Sequence, residues 1–176
     1  MDVFKERKAI DTALDDYRTW LDNIPDELFD VTPPQGGWSY AEVYSHILQA
    51  TIGASIAVER CANGTFKASK KGRTLIGHYV LATGSFPPVK LASPSALASK
   101  MPVKKIGKEG AKNMLVKCRR RMETVLPLVQ SATADCKAEH PRMGMLNAKQ
   151  WFKFIRIHLQ HHLMQLARIQ ENLQTG

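Results

Sequence analysis

The stretch RIHLQHHLMQLARI, Arg156 to Ile169, holds three of the chain's six histidines within five positions. Neutral imidazole is the commonest side-chain ligand for divalent transition metals. Two histidines four residues apart on one helix project side by side and can clasp a single ion. His158 and His162 have that spacing. On a helical wheel His162 lies about 40° from His158, and His161 about 60° to the other side. Trp151, Ile155, Leu166 and Ile169 share the arc of His162, whereas Lys153, Arg156 and Gln160 lie opposite. The inward pair is therefore His158 and His162, with His161 at the edge beside Arg168. The alternative is a set of hydrogen-bonded core imidazoles without an ion.

Two protein ligands are too few for a metal centre. His46 is the best third candidate, because it stands one turn into another amphipathic segment. Ala50, Gly53, Ala54 and Ala57 follow it on the same face. Such small residues either let a neighbouring helix pack closely or form the floor of a substrate cleft.

Four long helices must position these residues. Apolar spacing at threes and fours predicts the first over 2–21. The second spans 39–62 and opens at Ser39 and Glu42, a capping box with Trp38 placed to staple back against Val43. Asn63 and Gly64 supply its stop. The third spans 108–131, with Pro127 expected to kink it or end it early. The fourth spans 147–173 behind a second capping box, Asn147 with Gln150. The connection 63–107 is too long to be a bare loop. RTLIGHYVLA reads as a short helix within it, and 85–102, with its four prolines, as extended chain. Strand signals are weak throughout. The expected architecture is all-α: a single domain over 1–176, a four-helix bundle with one long crossover between helices two and three.

Composition narrows the classes. No run is apolar enough to span a membrane, and the N-terminus lacks an apolar signal core, so a cytoplasmic location is expected. Three scattered cysteines, Cys61, Cys118 and Cys136, form no C-x-x-C pair and read as idle buried thiols. The net charge of +9 gathers in three clusters: Lys67 to Arg73, Lys100 to Lys108, and Arg119 to Arg121. These are either a solvated basic surface or a nucleic-acid footprint. Few aromatics interleave with them to stack on single strands.

Three stretches together resemble the DinB-like (YfiT-like) superfamily of metal-binding four-helix bundles. HLQHHLMQLARI is similar to its H-x-x-H-H-x-x-Q ending, and GGWSYAEVYSHIL to its W-S-x-x-E-x-x-x-H opening of helix two. HPRMGMLNAKQWFKF resembles its H-P-x-x-G-x-L-x-x-x-Q-W entry to helix four. The resemblance implies a divalent ion, zinc or nickel, on His46, His158 and His162. It places His161, Gln165 and Glu42 behind or beside those ligands, with Gly53 in the cleft, and makes His140 a loop or capping residue. It also implies a bundle that can pair as a homodimer.

Three neutral imidazoles leave an ion its double charge and an open position. A water or a small thiol bound there becomes acidic. Attack on an ester or amide makes a hydrolase. Attack by the thiol on an electrophile makes an S-transferase, which the resemblance favours. The other expectations are a basic, stress-related bundle that binds nucleic acid, and a metal that serves only structure. The small substrate itself is not legible.

Overall fold

The computed structural model of the chain describes residues 1–66, 70–88 and 103–174. Helix α1 spans Val3–Asn23, and its start is capped by Asp2, whose carboxylate accepts from the backbone N–H groups of Phe4 and Lys5. A short 3₁₀ turn, Asp26–Leu28, leads towards α2, Tyr40–Ala62. The capping box is present: the Ser39 hydroxyl accepts from the Glu42 N–H, and the Glu42 carboxylate accepts from the Ser39 N–H at 2.9 Å. Asn63 caps the far end, and Gly64 turns the chain with φ +68°.

The segment RTLIGHYVLA contains helix α3, Leu75–Thr83. The extended reading of 85–102 falls mostly on residues 89–102, outside the described residues. Helix α4, Lys108–Ser131, continues one turn past Pro127 rather than ending there. Helix α5 spans Ala148–Gln174, and Asn147 and Gln150 bond reciprocally at its start, at 3.0 and 3.1 Å.

The bundle is a square in which α1 and α2 each pack on α4 and α5. Helices α1 and α4 run antiparallel, since Asp15 pairs with Arg119 and Asp22 with Lys112. Helices α2 and α4 run parallel, since Cys118 meets the Leu48 carbonyl and Arg121 reaches Ser55 and Glu59. Parallel neighbours cannot be joined by a tight turn, so the long crossover is a geometric necessity. Helix α2 runs against α5, with His46 facing its middle and Cys61 near the strand before it. Tyr17, Tyr44, Phe152, Leu48 and Ile155 fill the centre, all essentially unexposed. The Tyr44 hydroxyl donates to the Tyr17 carbonyl at 2.7 Å, and the Tyr17 hydroxyl to that of Leu159 at 2.9 Å, so neither phenol is buried unpaired.

One element escaped the sequence. Strands β1, Lys137–His140, and β2, Gly144–Asn147, form an antiparallel hairpin that pairs Ala138 with Leu146. Neither strand is rich in β-branched or aromatic residues, so intrinsic preference is silent. The turn makes the hairpin: Gly144 takes φ +76°, and the His140 ring accepts through Nδ1 from the N–H groups of Arg142 and Met143, both at 3.2 Å. Docking completes it, with Ala138 and Leu146 buried. The entry to α3 is stitched to this turn. The Thr74 hydroxyl donates to the Arg142 carbonyl at 2.6 Å and accepts from the Gly77 N–H at 3.1 Å. A Cβ on Gly77 would lie 2.3 Å from the Met143 carbonyl oxygen, so only glycine allows this approach.

Cys61, Cys118 and Cys136 are buried and unbridged. Burial pushes the thiols of Cys61 and Cys118 up to about 11 and about 12, which keeps them protonated and inert. Among the described residues, no helix is long and apolar enough to cross a membrane.

Candidate metal centre

His158 and His162 stand one turn apart on α5, and His46 faces them from α2. The ring centroids are 4.7 Å apart for His158 and His162, 4.9 Å for His46 and His162, and 5.3 Å for His46 and His158. One nitrogen from each ring lies within 4.8 Å of the others. The Nε2 atoms of His158 and His162 are 3.1 Å apart. Tetrahedral ligands at a Zn–N length of about 2.0–2.1 Å stand about 3.3 Å from each other, so the pair already has near-ligand spacing.

The tautomer of His162 follows from its other nitrogen. Nδ1 donates to Oε1 of Gln165 at 2.7 Å, which leaves the lone pair on Nε2, aimed at His158. Outer partners of this kind orient ligating imidazoles. Gln165 is one turn beyond His161 on the same helix, so α5 supplies two of the three rings and the group that sets one of them.

Burial acts on all of these imidazoles against their charged forms. It pushes His46 down to about 4, with the neighbouring His161 adding to the effect. It pushes His162 down to about 3 and His158 well below the usual imidazole range, each with help from the other histidines. All three are therefore neutral, with lone pairs available, at physiological pH.

Aromatic rings wall the cluster. Trp38, just before the α2 cap, lies 5.0 Å from the His46 ring and stacks on that of His162 at 6.2 Å and 10°. Phe154 stacks on His158 at 5.1 Å. Phe86, beyond the end of α3, lies 6.0 Å from His158 and 4.8 Å from His161. Nothing in the sequence marks Phe86, because it reaches the site only through the path of α3. Trp38 was legible as a helix-entry residue but not as a wall.

The other expected residues fall in different places. His161 is half-buried at the rim, its ring 5.1 Å from that of His162. The Glu42 carboxylate is held by the Ser39 N–H and hydroxyl, at 2.9 and 2.8 Å, and belongs to the helix cap. Gly53 is exposed, with no atom within 4 Å of where its Cβ would be, so the helix face beyond His46 is open there. His140 packs edge-on against Phe154 at 4.6 Å and holds the hairpin turn.

The DinB superfamily matches residues 9–166, from the first helix through both histidine helices. The chain belongs to the DinB superfamily. Among solved structures, this DinB chain is similar to YfiT from Bacillus subtilis, described as a probable metal-dependent hydrolase with an unusual four-helix bundle topology. The TM-score is 0.63 at 12% identity, over 98% of this chain and 87% of that one. It is also similar to TT2238, a four-helix bundle protein, with a TM-score of 0.58 at 16% identity over 95% of this chain and 97% of that one. At these identities the likeness is one of fold. No curated protein matches the sequence.

The buried imidazoles make the metal-stripped DinB chain acid-sensitive. Their folded values lie below the unfolded value, so the unfolded chain binds more protons as pH falls. Stability is complete above about pH 6.5 and declines towards pH 4 and below. Melting temperatures of stripped protein from pH 7.5 to 4.5 should fall steadily, and a flat profile would contradict the buried neutral rings.

Proposed function

We propose that the chain holds one divalent transition ion on His46, His158 and His162 and is a metal-dependent hydrolase or thiol S-transferase. The observation that carries this reading is the convergence of three neutral imidazole nitrogens within 4.8 Å of one another, from two facing helices. The donor set suits zinc or nickel, being all-nitrogen with room for a further ligand. An ion held there supplies Lewis acidity, bringing a water or small thiol close to its deprotonated form near neutral pH.

The chain's own residues do the rest. Gln165 fixes the tautomer of His162. Trp38, Phe86 and Phe154 exclude water from the flanks and strengthen every electrostatic contact inside. Among the described residues, Glu42 and Glu6 are committed, to the α2 cap and to Arg156. Proton acceptance from the attacking group therefore falls to an incoming substrate or to solvent rather than to either carboxylate.

The basic surface is less available to nucleic acid than the net charge implies. Arg119 pairs with Asp15 and Arg121 with Glu59 at 2.6 Å, so two of the three clustered arginines on α4 are engaged.

Two assays separate the chemistries. Untagged protein is stripped, reloaded with zinc or nickel, and offered either an activated ester or a small thiol with an aryl halide electrophile. Turnover by the reloaded protein that vanishes in the stripped form supports the reading. A reloaded protein that turns over neither leaves a structural ion as the explanation. Gln165→Ala should weaken metal binding about 10–100-fold, the usual effect of losing an outer partner, with the helical circular dichroism unchanged. Competition against a chromogenic chelator measures it, and an unaltered affinity would remove Gln165 from the site.

A further inference from the structure

The two candidate ligands on α5 are oriented by different means. His162 has Gln165 on its Nδ1 at 2.7 Å. The His158 ring, among the described residues, makes a single polar contact, with Nε2 of His162 at 3.1 Å. A metal-ligating imidazole ordinarily has an outer hydrogen-bonding partner on its other nitrogen, which fixes the plane of the ring. Where His162 has an amide, His158 has a ring: Phe154, one turn back on α5, stacks on it at 5.1 Å and 23°. An imidazole lying along a neighbouring ring cannot turn about χ2 without giving up that stack. The direction of the His158 lone pair therefore depends on how firmly Phe154 is held.

Phe154 is buried and is met edge-on by rings that belong to the hairpin. His140, the last residue of β1, stands 4.6 Å away at 68°, and Trp151 stands 5.8 Å away at 88°. Trp151 is tied to β1, since its Nε1 donates to the Ala138 carbonyl at 3.3 Å. The His140 ring is fixed more firmly. Its Nδ1 accepts from the N–H groups of Arg142 and Met143, so it cannot turn without losing both bonds. The turn itself needs only an acceptor, which an asparagine side chain supplies. An imidazole at this place adds a flat ring against Phe154.

We propose that His140 is a positioning residue for the metal centre: it holds Phe154, and Phe154 sets the plane in which His158 offers its nitrogen. This rests on the metal reading above. The hairpin then reaches a metal ligand through two ring contacts in series, without touching the ion.

The test uses the full untagged chain loaded with zinc or with cobalt, whose visible absorption reports ligand geometry. Competition against a chromogenic chelator gives the zinc affinity. His140→Asn keeps an acceptor for the turn and removes the ring. It should weaken zinc about three- to tenfold and alter the cobalt spectrum, with the helical circular dichroism unchanged. Phe154→Leu should do the same. The double variant should lose no more than Phe154→Leu alone, because both act along one route. Phe152→Ala is the control for a purely structural loss, lowering the melting temperature while leaving affinity and spectrum alone. Unaltered affinity and spectrum in Phe154→Leu overturn the proposal even if His140→Asn fails to fold. Additive losses in the double variant overturn the route through Phe154. Both results leave the metal reading standing, whereas a wild-type chain that takes up neither ion overturns that reading as well.

Discussion

His158→Ala is expected to empty the centre. Wild-type protein purified without a polyhistidine tag should carry about one transition ion per chain, and the variant less than a tenth of that. Loss of an outer partner alone costs about 10–100-fold in affinity, so loss of one of only three protein ligands must exceed that range. His158 touches both of the other rings: His46 meets it edge-on at 5.3 Å, and Nε2 of His162 stands 3.1 Å away. Removing the imidazole also relieves a crowded, buried polar cluster, so the stripped variant should melt no lower than stripped wild type below pH 6, where the histidines are a liability. Elemental analysis beside thermal melts reads both effects. Sub-stoichiometric metal in the wild type that does not fall further in the variant would sink the assignment.

Phe152→Ala is expected to cost stability while sparing the site. Phe152 is fully buried on α5 and is among the largest side chains in the core. Deleting a buried phenylalanine ring costs about 3–5 kcal/mol through lost transfer energy and the cavity left behind. In a chain of this length that lowers the melting temperature by roughly 6–20 °C. Phe152 lies six residues before His158, about 120° round the helix, so the folded fraction should still hold its full share of metal. A shift under about 2 °C would mean that the core closes over the gap far better than close packing allows.

The two outcomes separate what holds the bundle from what the bundle holds. The same helix serves both, because its apolar arc is wide enough to bury Phe152 and Ile155 on one flank and to carry His158 and His162 on the other. Arg156 ties that helix to α1 through Glu6 at 2.6 Å, and the Tyr17 hydroxyl ties it again at Leu159. The rings therefore sit on a rigid element, as a metal centre requires.

Much of this was legible residue by residue. Capping at Ser39 and Glu42, and at Asn147 and Gln150, is a local code of side chains answering orphan backbone groups, so it can be read without the fold. The inward pair His158 and His162 followed from a period of 3.6 against an apolar arc, which again needs only neighbours in sequence. The hairpin was not legible, because the His140 ring, Gly144 and the docking of Leu146 make it, and none is a strand preference. Pro127 does not end the third helix early: α4 runs to Ser131, the end expected for it.

By itself, then, the sequence determined the long helices, their caps, the inward histidines and the need for a crossover. Each depends on interactions within a few residues or on chain length. Only the tertiary structure decided that a ring nitrogen of His46 comes within 4.8 Å of those of its partners, that Glu42 is spent on a cap, and that Trp38 and Phe86 wall the site. Those facts depend on which helix faces meet and how a loop returns. A period along one helix says which side faces inward, but not what it will find there.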